Sequence, residues 1–124
     1  MTWLLEERRQ RRSRERETAL RYQLEHTKDR GGLEVLVLVD RDGLLLAGAG
    51  EDALCEELGA VAPLMGRAPM GMKLPPLLRG GEVAIRPLSL HGQELFLASV
   101  GGGVARDALL HHSLSGVHRI MSAN

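Results

Sequence analysis

The spacing of apolar and polar positions changes along the chain and predicts a long helix at its start. From Thr2 to about Asp29 good helix formers run without Gly or Pro. The middle of this segment, "EERRQRRSRERE", has no apolar residue. The residues that can pack on a body all lie in its C-terminal half: Ala19, Leu20, Tyr22 and Leu24. We therefore predict that this half docks and that the charged half projects into solvent.

The stretch that follows is apolar on both faces of a predicted strand. In "LEVLVLVD", Leu33 to Asp40, leucines and valines alternate, so neither face is polar. Asp40 to Gly43 supplies a tight turn, and Leu44 to Ala47 forms the return strand of a hairpin. A strand without a polar face must be covered on both sides. We therefore expect helices on both faces of this hairpin.

The remaining segments complete the order αββαββα. Residues 51–66 are predicted to be helical, with an apolar stripe at helical spacing: Leu54, Cys55, Leu58, Val61, Ala62 and Met65. A Gly- and Pro-rich connection follows, then a second hairpin with strands 82–90 and 94–100, then a helix over 104–121. This order predicts an α+β fold in which a central antiparallel sheet lies between helices. Residues 1–30 form a long charged helix, and residues 31–124 form the body.

Composition restricts the class of protein. The chain has 124 residues, one domain's worth, and its 2% aromatic content predicts an aliphatic core. A formal net charge of zero gives no general electrostatic attraction for nucleic acid. One cysteine excludes an internal disulfide and a multi-cysteine metal site. We find neither a signal peptide nor an apolar run of membrane-spanning length, and expect a soluble, cytoplasmic protein.

Two glycine-rich segments imitate nucleotide-binding motifs. "GAGEDA", Gly48 to Ala53, matches G-x-G-x-x-A between a strand and a helix. That site requires a parallel strand–helix–strand unit, whereas the strand before Gly48 is the return arm of a hairpin. Glu51 and Asp52 would also place carboxylates where phosphates bind. We interpret this segment as a turn, and "GGGVARDALL" likewise, because it lacks the Lys and Ser/Thr of a phosphate loop.

The residues that could carry chemistry do not form a recognisable catalytic or metal-binding set. His111 and His118 share a helix face, but they lie seven residues apart, and the candidates between them on that face, Leu114 and Ser115, are not metal ligands. Cys55 lies on the apolar stripe, which favours an unreactive core thiol. We therefore predict that the chain is not an enzyme and binds neither a cofactor nor a metal.

The arginine-rich part of the first helix allows three interpretations. Residues 1–30 hold nine Arg or Lys against six Asp or Glu, and residues 31–124 hold seven against ten. The arginines from Arg8 to Arg16 could contact phosphates. Glutamates bracket this run and no aromatic residue interrupts it, so a solvated helix face or a docking site for an acidic protein is favoured over nucleic acid.

Several pieces of the sequence together resemble the roadblock/dynein light chain family. They are "VLVDRDGL" at Val37 to Leu44, the acidic start of the helix near Glu51, and the strand that contains "RPL" at Arg86 to Leu88. The similar region covers about residues 33–124. The resemblance implies a roadblock/longin-like fold and a homodimeric, non-enzymatic platform or regulator of a Ras-like small GTPase. Bacterial members act with GTPases of cell polarity or motility.

The resemblance also implies where partners bind. Family dimers generally meet through the second helix and the strand after it, which here indicates Leu54, Leu58, Val61, Met65, Met70 and Met72. The far end of the first helix is a second predicted docking element, formed by Trp3, Leu4, Leu5, Arg8 and Arg12. Pro69, Pro75 and Pro76 occupy the place of a further family strand, and prolines cannot donate to a sheet. Short pairing near Gly71 to Leu74 stays possible.

Two other functions fit the same segments. A small-ligand sensor of profilin-like or PAS-like topology would need a cavity beneath the sheet. A nucleic-acid-binding protein would use the arginine-rich first helix. We rank both below the GTPase regulator.

Overall fold

The computed structural model describes residues 2–67, 82–102 and 106–122, apart from the side chains of Thr2, Trp3 and Asp107. Its elements are helix α1 (Thr2–Gly31), strands β1 (Leu33–Asp40) and β2 (Leu45–Ala49), helix α2 (Asp52–Arg67), strands β3 (Val83–Leu90) and β4 (Gln93–Gly101), and helix α3 (Arg106–Ser122). The predicted order of elements is confirmed. The predicted bounds of the return strand, Leu44 to Ala47, are too early in the chain. The strand continues to Ala49, because Gly48 and Ala49 also pair with β1.

The four strands form one antiparallel sheet in the order β2-β1-β4-β3. The two hairpins thus lie side by side and join through β1 and β4, which are the central strands. Pro87 lies within β3, at an edge of the described sheet, where a missing amide hydrogen costs little.

Each face of the sheet has its own apolar cluster, as the two-sided pattern of β1 predicted. On one face, α2 packs on the valines of β1 and on alternate residues of β4: Val35, Val37, Val39, Phe96, Ala98 and Val100. On the other face, α1 and α3 pack on the remaining residues: Leu33, Leu36, Leu38, Leu95 and Leu97. Residues two apart in a strand normally face the same side of a sheet, so Leu33 would be expected on the side of Val35. The β1–β4 register shifts between these two residues, and Leu33 instead belongs to the cluster of Leu36 on the other face.

Helix α1 docks through its C-terminal half. Leu20, Leu24 and Thr27 are buried, while residues 4–18 are exposed. Tyr22, considered for packing, is instead 73% exposed because it lies on the outer side of the helix. The crossing with α3 is close at Gly116, where a Cβ would lie 2.6 Å from the Gln23 side chain. A larger residue there would push the two helices apart.

The turn between β1 and β2 is held by the carboxylate of Asp40. One of its oxygens, Oδ1, accepts hydrogen bonds from the backbone amides of Asp42 (2.9 Å) and Leu44 (3.0 Å). Gly43 has a φ of 85°, and a Cβ on it would lie 3.2 Å from the carbonyl oxygen of Gly59 in α2. A residue with a side chain would therefore be strained and crowded at this position. The D-x-D-G segment both closes the hairpin and seats it on α2.

We expect Asp40→Ala to destabilise the fold by about 1 kcal/mol, because two turn amides lose their acceptor and regain only water. Urea denaturation should show a lower midpoint with an unchanged slope. The matched control is Asp42→Ala, which removes an exposed carboxylate from the same turn. Equal losses in both variants would contradict the role given to Asp40.

We expect deletion of residues 1–16 to leave a folded protein, because no described side chain before Leu20 is buried. Circular dichroism should show loss of helix signal only, and thermal unfolding should stay cooperative. A truncated chain that unfolds without a cooperative transition would show that the exposed half of α1 is needed for folding.

Candidate protein-interaction surfaces

The outer side of α2 combines small and apolar residues with charges. Successive residues of a helix turn by about 100°, so Ala53, Ala60 and Leu64 lie on one line. All three are exposed, and the Leu64 side chain remains 54% accessible. Charged residues flank this line: Glu56, Glu57 and Arg67. We call the set of Ala53, Glu56, Glu57, Ala60, Leu64 and Arg67 the α2 outer face.

The residues predicted for a dimer contact lie mostly elsewhere. Leu54, Leu58 and Val61 are buried in the cluster between α2 and the sheet, so they cannot contact a partner while the fold is intact. Met65 is partly buried against the same cluster. Met70 and Met72 lie outside the described residues. An interface on this helix therefore belongs to the α2 outer face, and its participation in a dimer stays a prediction.

Sequence reasoning missed Leu64, although a signal was present. The apolar stripe of α2 identifies the buried side, and Leu64 follows exposed Ala60 by four residues on the opposite side. A large apolar residue opposite a complete stripe indicates either a contact or a solvated leucine. Because Pro63 and Met65 are apolar too, Leu64 does not stand out from its neighbours in the sequence.

The hairpin turn and one carboxylate adjoin the α2 outer face. Arg67 donates from Nη2 to the backbone carbonyl oxygen of Arg41 at 3.1 Å, which ties the end of α2 to the turn. Glu57 is half-buried, and its Oε2 has no hydrogen-bond partner among the described residues.

The far end of α1 is exposed, as predicted for the second docking element. Leu4 is 45% and Leu5 55% accessible, and Arg8 and Arg12 are also exposed. The side chain of Trp3 lies outside the described set. Nearer the body, α1 and α3 border an open groove of about 700 Å³. Its lining is Arg11, Arg14, Glu15, Thr18, Ala19, Tyr22, Gln23, Arg119 and Ile120.

The nucleotide-like segment at Gly48 is not part of a parallel unit. It spans the last residues of β2, which pairs antiparallel with β1, and the start of α2. Gly50 has a φ of 120°, and a Cβ there would lie 2.9 Å from the carbonyl oxygen of Glu34. Position 50 thus requires glycine because the backbone passes close to β1, and binding of a pyrophosphate is not needed to explain it.

Comparison with known proteins shows the fold. No family model and no curated protein sequence matches the chain. Among solved structures it is similar to Myxococcus xanthus MglB, with a TM-score of 0.51 and 12% identity over 85% of this chain and 89% of that one. The chain has a roadblock/longin-like fold. The predicted α+β architecture is thereby confirmed, and at this identity the likeness establishes the fold alone.

In this roadblock/longin-like fold, the polar residues of the described part are not arranged as a metal site. No three His, Cys, Asp or Glu side chains within the described ranges group as ligands. His111 and His118 are both exposed on α3, and the Nδ1 of His118 lies 3.4 Å from the hydroxyl of Ser122. No helix in these ranges is long and apolar enough to cross a membrane.

Cys55 lies at the start of α2 and is buried. Its Sγ lies 3.9 Å from the carbonyl oxygen of Gly50, so the thiol has a weak acceptor. Burial raises the pKa of Cys55, and the nearby carboxylates of Asp52 and Glu56 raise it further. The thiolate, which is the nucleophile, is therefore disfavoured at neutral pH.

We expect Cys55 to react slowly with a thiol reagent such as DTNB at pH 7 to 8. The rate should be at least about tenfold lower in the native protein than in urea, because burial limits access and the raised pKa limits thiolate. The rate should still rise with pH as the thiol ionises. Native labelling as fast as that of the unfolded chain would show that Cys55 is accessible and open the possibility of redox chemistry.

Proposed function

We propose that this chain is a non-enzymatic, roadblock-type scaffold or regulator that acts as a homodimer with a bacterial Ras-like small GTPase. The GTPase is of the polarity or motility type, and both act in the cytoplasm. The observation that carries the proposal is the roadblock/longin-like fold, which this chain has in common with MglB at 12% identity. The resemblance of the hairpin "VLVDRDGL" to the same family supports it independently.

The layering supports an action through exterior surface. Both faces of the described sheet are filled by apolar clusters, one beneath α2 and one beneath α1 and α3. The groove of about 700 Å³ lies between α1 and α3 rather than beneath the sheet. A ligand sensor of the profilin-like or PAS-like type would need its cavity where these clusters lie, so the GTPase partner is the better supported function.

The α2 outer face is the surface we assign to the dimer or to the GTPase. Ala53 and Ala60 are small, so a partner backbone or helix can approach closely, and Leu64 offers an apolar anchor. Around them, Glu56 and Glu57 provide acceptors. An apolar centre surrounded by a polar rim is the usual layout of a specific protein interface.

The proposal is tested with purified Ras-like GTPases of the source organism, loaded with GDP or with a non-hydrolysable GTP analogue. We expect one of them to bind in calorimetry, with an affinity that depends on the nucleotide. The chain alone should hydrolyse no GTP, whereas hydrolysis by the GTPase is measured with and without it. Absence of binding in both nucleotide states, or GTP hydrolysis by the chain itself, would contradict the proposal.

We expect Leu64→Asp to weaken the contact made by the α2 outer face by about tenfold or more, because a charge replaces the apolar anchor. Light scattering should reveal a loss of dimer, or calorimetry a loss of GTPase affinity, while circular dichroism shows an unchanged fold. The control is Leu44→Asp at the hairpin, where the leucine is 64% exposed and lies outside α2. Equal behaviour of the two variants would remove the α2 outer face from the proposal.

A further inference from the structure

Helix α1 carries a second surface on the side that faces away from the sheet. At about 100° per residue, positions eighteen apart point in the same direction after five full turns, as Leu4 and Tyr22 do. Charged and polar residues lie between them within about 40° of the same line. The outer stripe of α1 is thus Leu4, Arg8, Arg11, Glu15, Thr18 and Tyr22, all exposed. Leu20 and Leu24, which are buried where α1 packs on the rest of the protein, lie on the opposite side of the helix.

The exposed half of this helix has no support from the body. Residues 4–18 include no buried or half-buried side chain. An isolated helix of about fifteen residues is only marginally stable in water, because its ends and its nucleation are unfavourable. The segment nevertheless continues α1 without a break. A partner that packs along the outer stripe would supply the missing contacts.

The two ends of the stripe differ in shape. At the body end, Ala19, Tyr22 and Ile120 line the groove between α1 and α3. At the far end, Leu4 and Leu5 project with 45% and 55% of their surface exposed. Apolar side chains at one end thus match the apolar part of the groove near Tyr22, about 27 Å away along the helix at 1.5 Å per residue.

The charges of the stripe are complementary to the same stripe read in reverse. Two copies of α1 can be placed antiparallel so that the two-fold axis passes at the level of Ser13 along the helix. Position 4 of one copy then lies beside position 22 of the other, and position 11 lies beside position 15. Leu4 then faces Tyr22, and Arg11 faces Glu15. Because the pairing is two-fold symmetric, each of these contacts occurs twice.

We propose that the outer stripe of α1 binds a second copy of this chain in an antiparallel helix pair. Leu4 and Leu5 of each copy enter the groove between α1 and α3 of the other. Two reciprocal Arg11–Glu15 ion pairs fix the register near the centre. The surface is separate from the α2 outer face, so the proposal does not rest on the GTPase function.

A nucleic acid fits the stripe less well. Glu15 lies near the middle of the row, and a carboxylate there repels the phosphates that Arg8 and Arg11 would attract. The apolar residues at both ends also have no role in binding a phosphate backbone. A second copy uses the arginines, the glutamate and the leucines together.

The test is a charge-reversal exchange measured by sedimentation over a range of concentrations at low salt. In a pair of R11E chains, the new glutamate of each copy faces Glu15 of the other, and in a pair of E15R chains the new arginine of each copy faces Arg11 of the other. Each variant alone should associate about tenfold more weakly than the wild type, since two attractive pairs become repulsive. An equimolar mixture of R11E and E15R should recover the association, because every cross-pair is then of opposite charge.

Mixing controls for effects within one helix. Each single variant places like charges four residues apart in its own α1, which lowers helicity slightly. The mixture does not change this, so recovered association can come only from contact between chains. Circular dichroism should show that all variants keep their fold. L4D should weaken association through the apolar contact, whereas L44D, a change at the hairpin, should not.

Repeating the series in an L64D background separates the two surfaces. In that background, R11E and E15R should still weaken association and their mixture should still restore it, whatever happens to the contact made by the α2 outer face. Unchanged association in R11E and E15R, or a mixture as weak as the single variants, would overturn the antiparallel pair. A wild-type chain that stays monomeric but is retained on duplex DNA at moderate salt would assign the arginines to nucleic acid instead.

Discussion

Burial of β1 on both faces is the constraint on which the rest of this structure depends. The side chains from Val35 to Val39 are all fully buried, three toward α2 and two toward α1 and α3. β1 is therefore covered by α2 on one face and mainly by α1 on the other, and it pairs with a strand on each edge. Because the sheet is closed above and below, both surfaces assigned to partners lie on the outer sides of helices.

The same layering decides how the surfaces are placed. Helix α2 covers one face of the sheet, and α1 with α3 covers the other. The α2 outer face and the outer stripe of α1 consequently lie on opposite layers of the molecule. Two self-association surfaces on opposite layers would join dimers into larger assemblies, whereas one of them alone gives a closed pair. A partner at either surface leaves the other accessible.

Prediction from sequence succeeded where a local pattern has a single physical solution. Alternating valines and leucines in β1 required cover on both faces, and D-x-D-G after a strand required a tight turn. The docked half of α1 followed from Leu20 and Leu24. The partner surface did not follow, because a stripe such as Leu54, Leu58 and Val61 has the same periodicity whether it faces a core or another chain. Only packing distinguishes these cases, and it buries this stripe.

The amino-acid sequence by itself determined the order of elements, the closed hairpins and the charged, unsupported start of α1, since these depend on neighbours within a few residues. Tertiary structure decided the strand order β2-β1-β4-β3, the side to which Leu33 turns, and the exposure of Leu64 and Tyr22. These features arise from contacts between residues far apart in the chain. A local sequence pattern states which side of an element is apolar, but not which neighbour covers it.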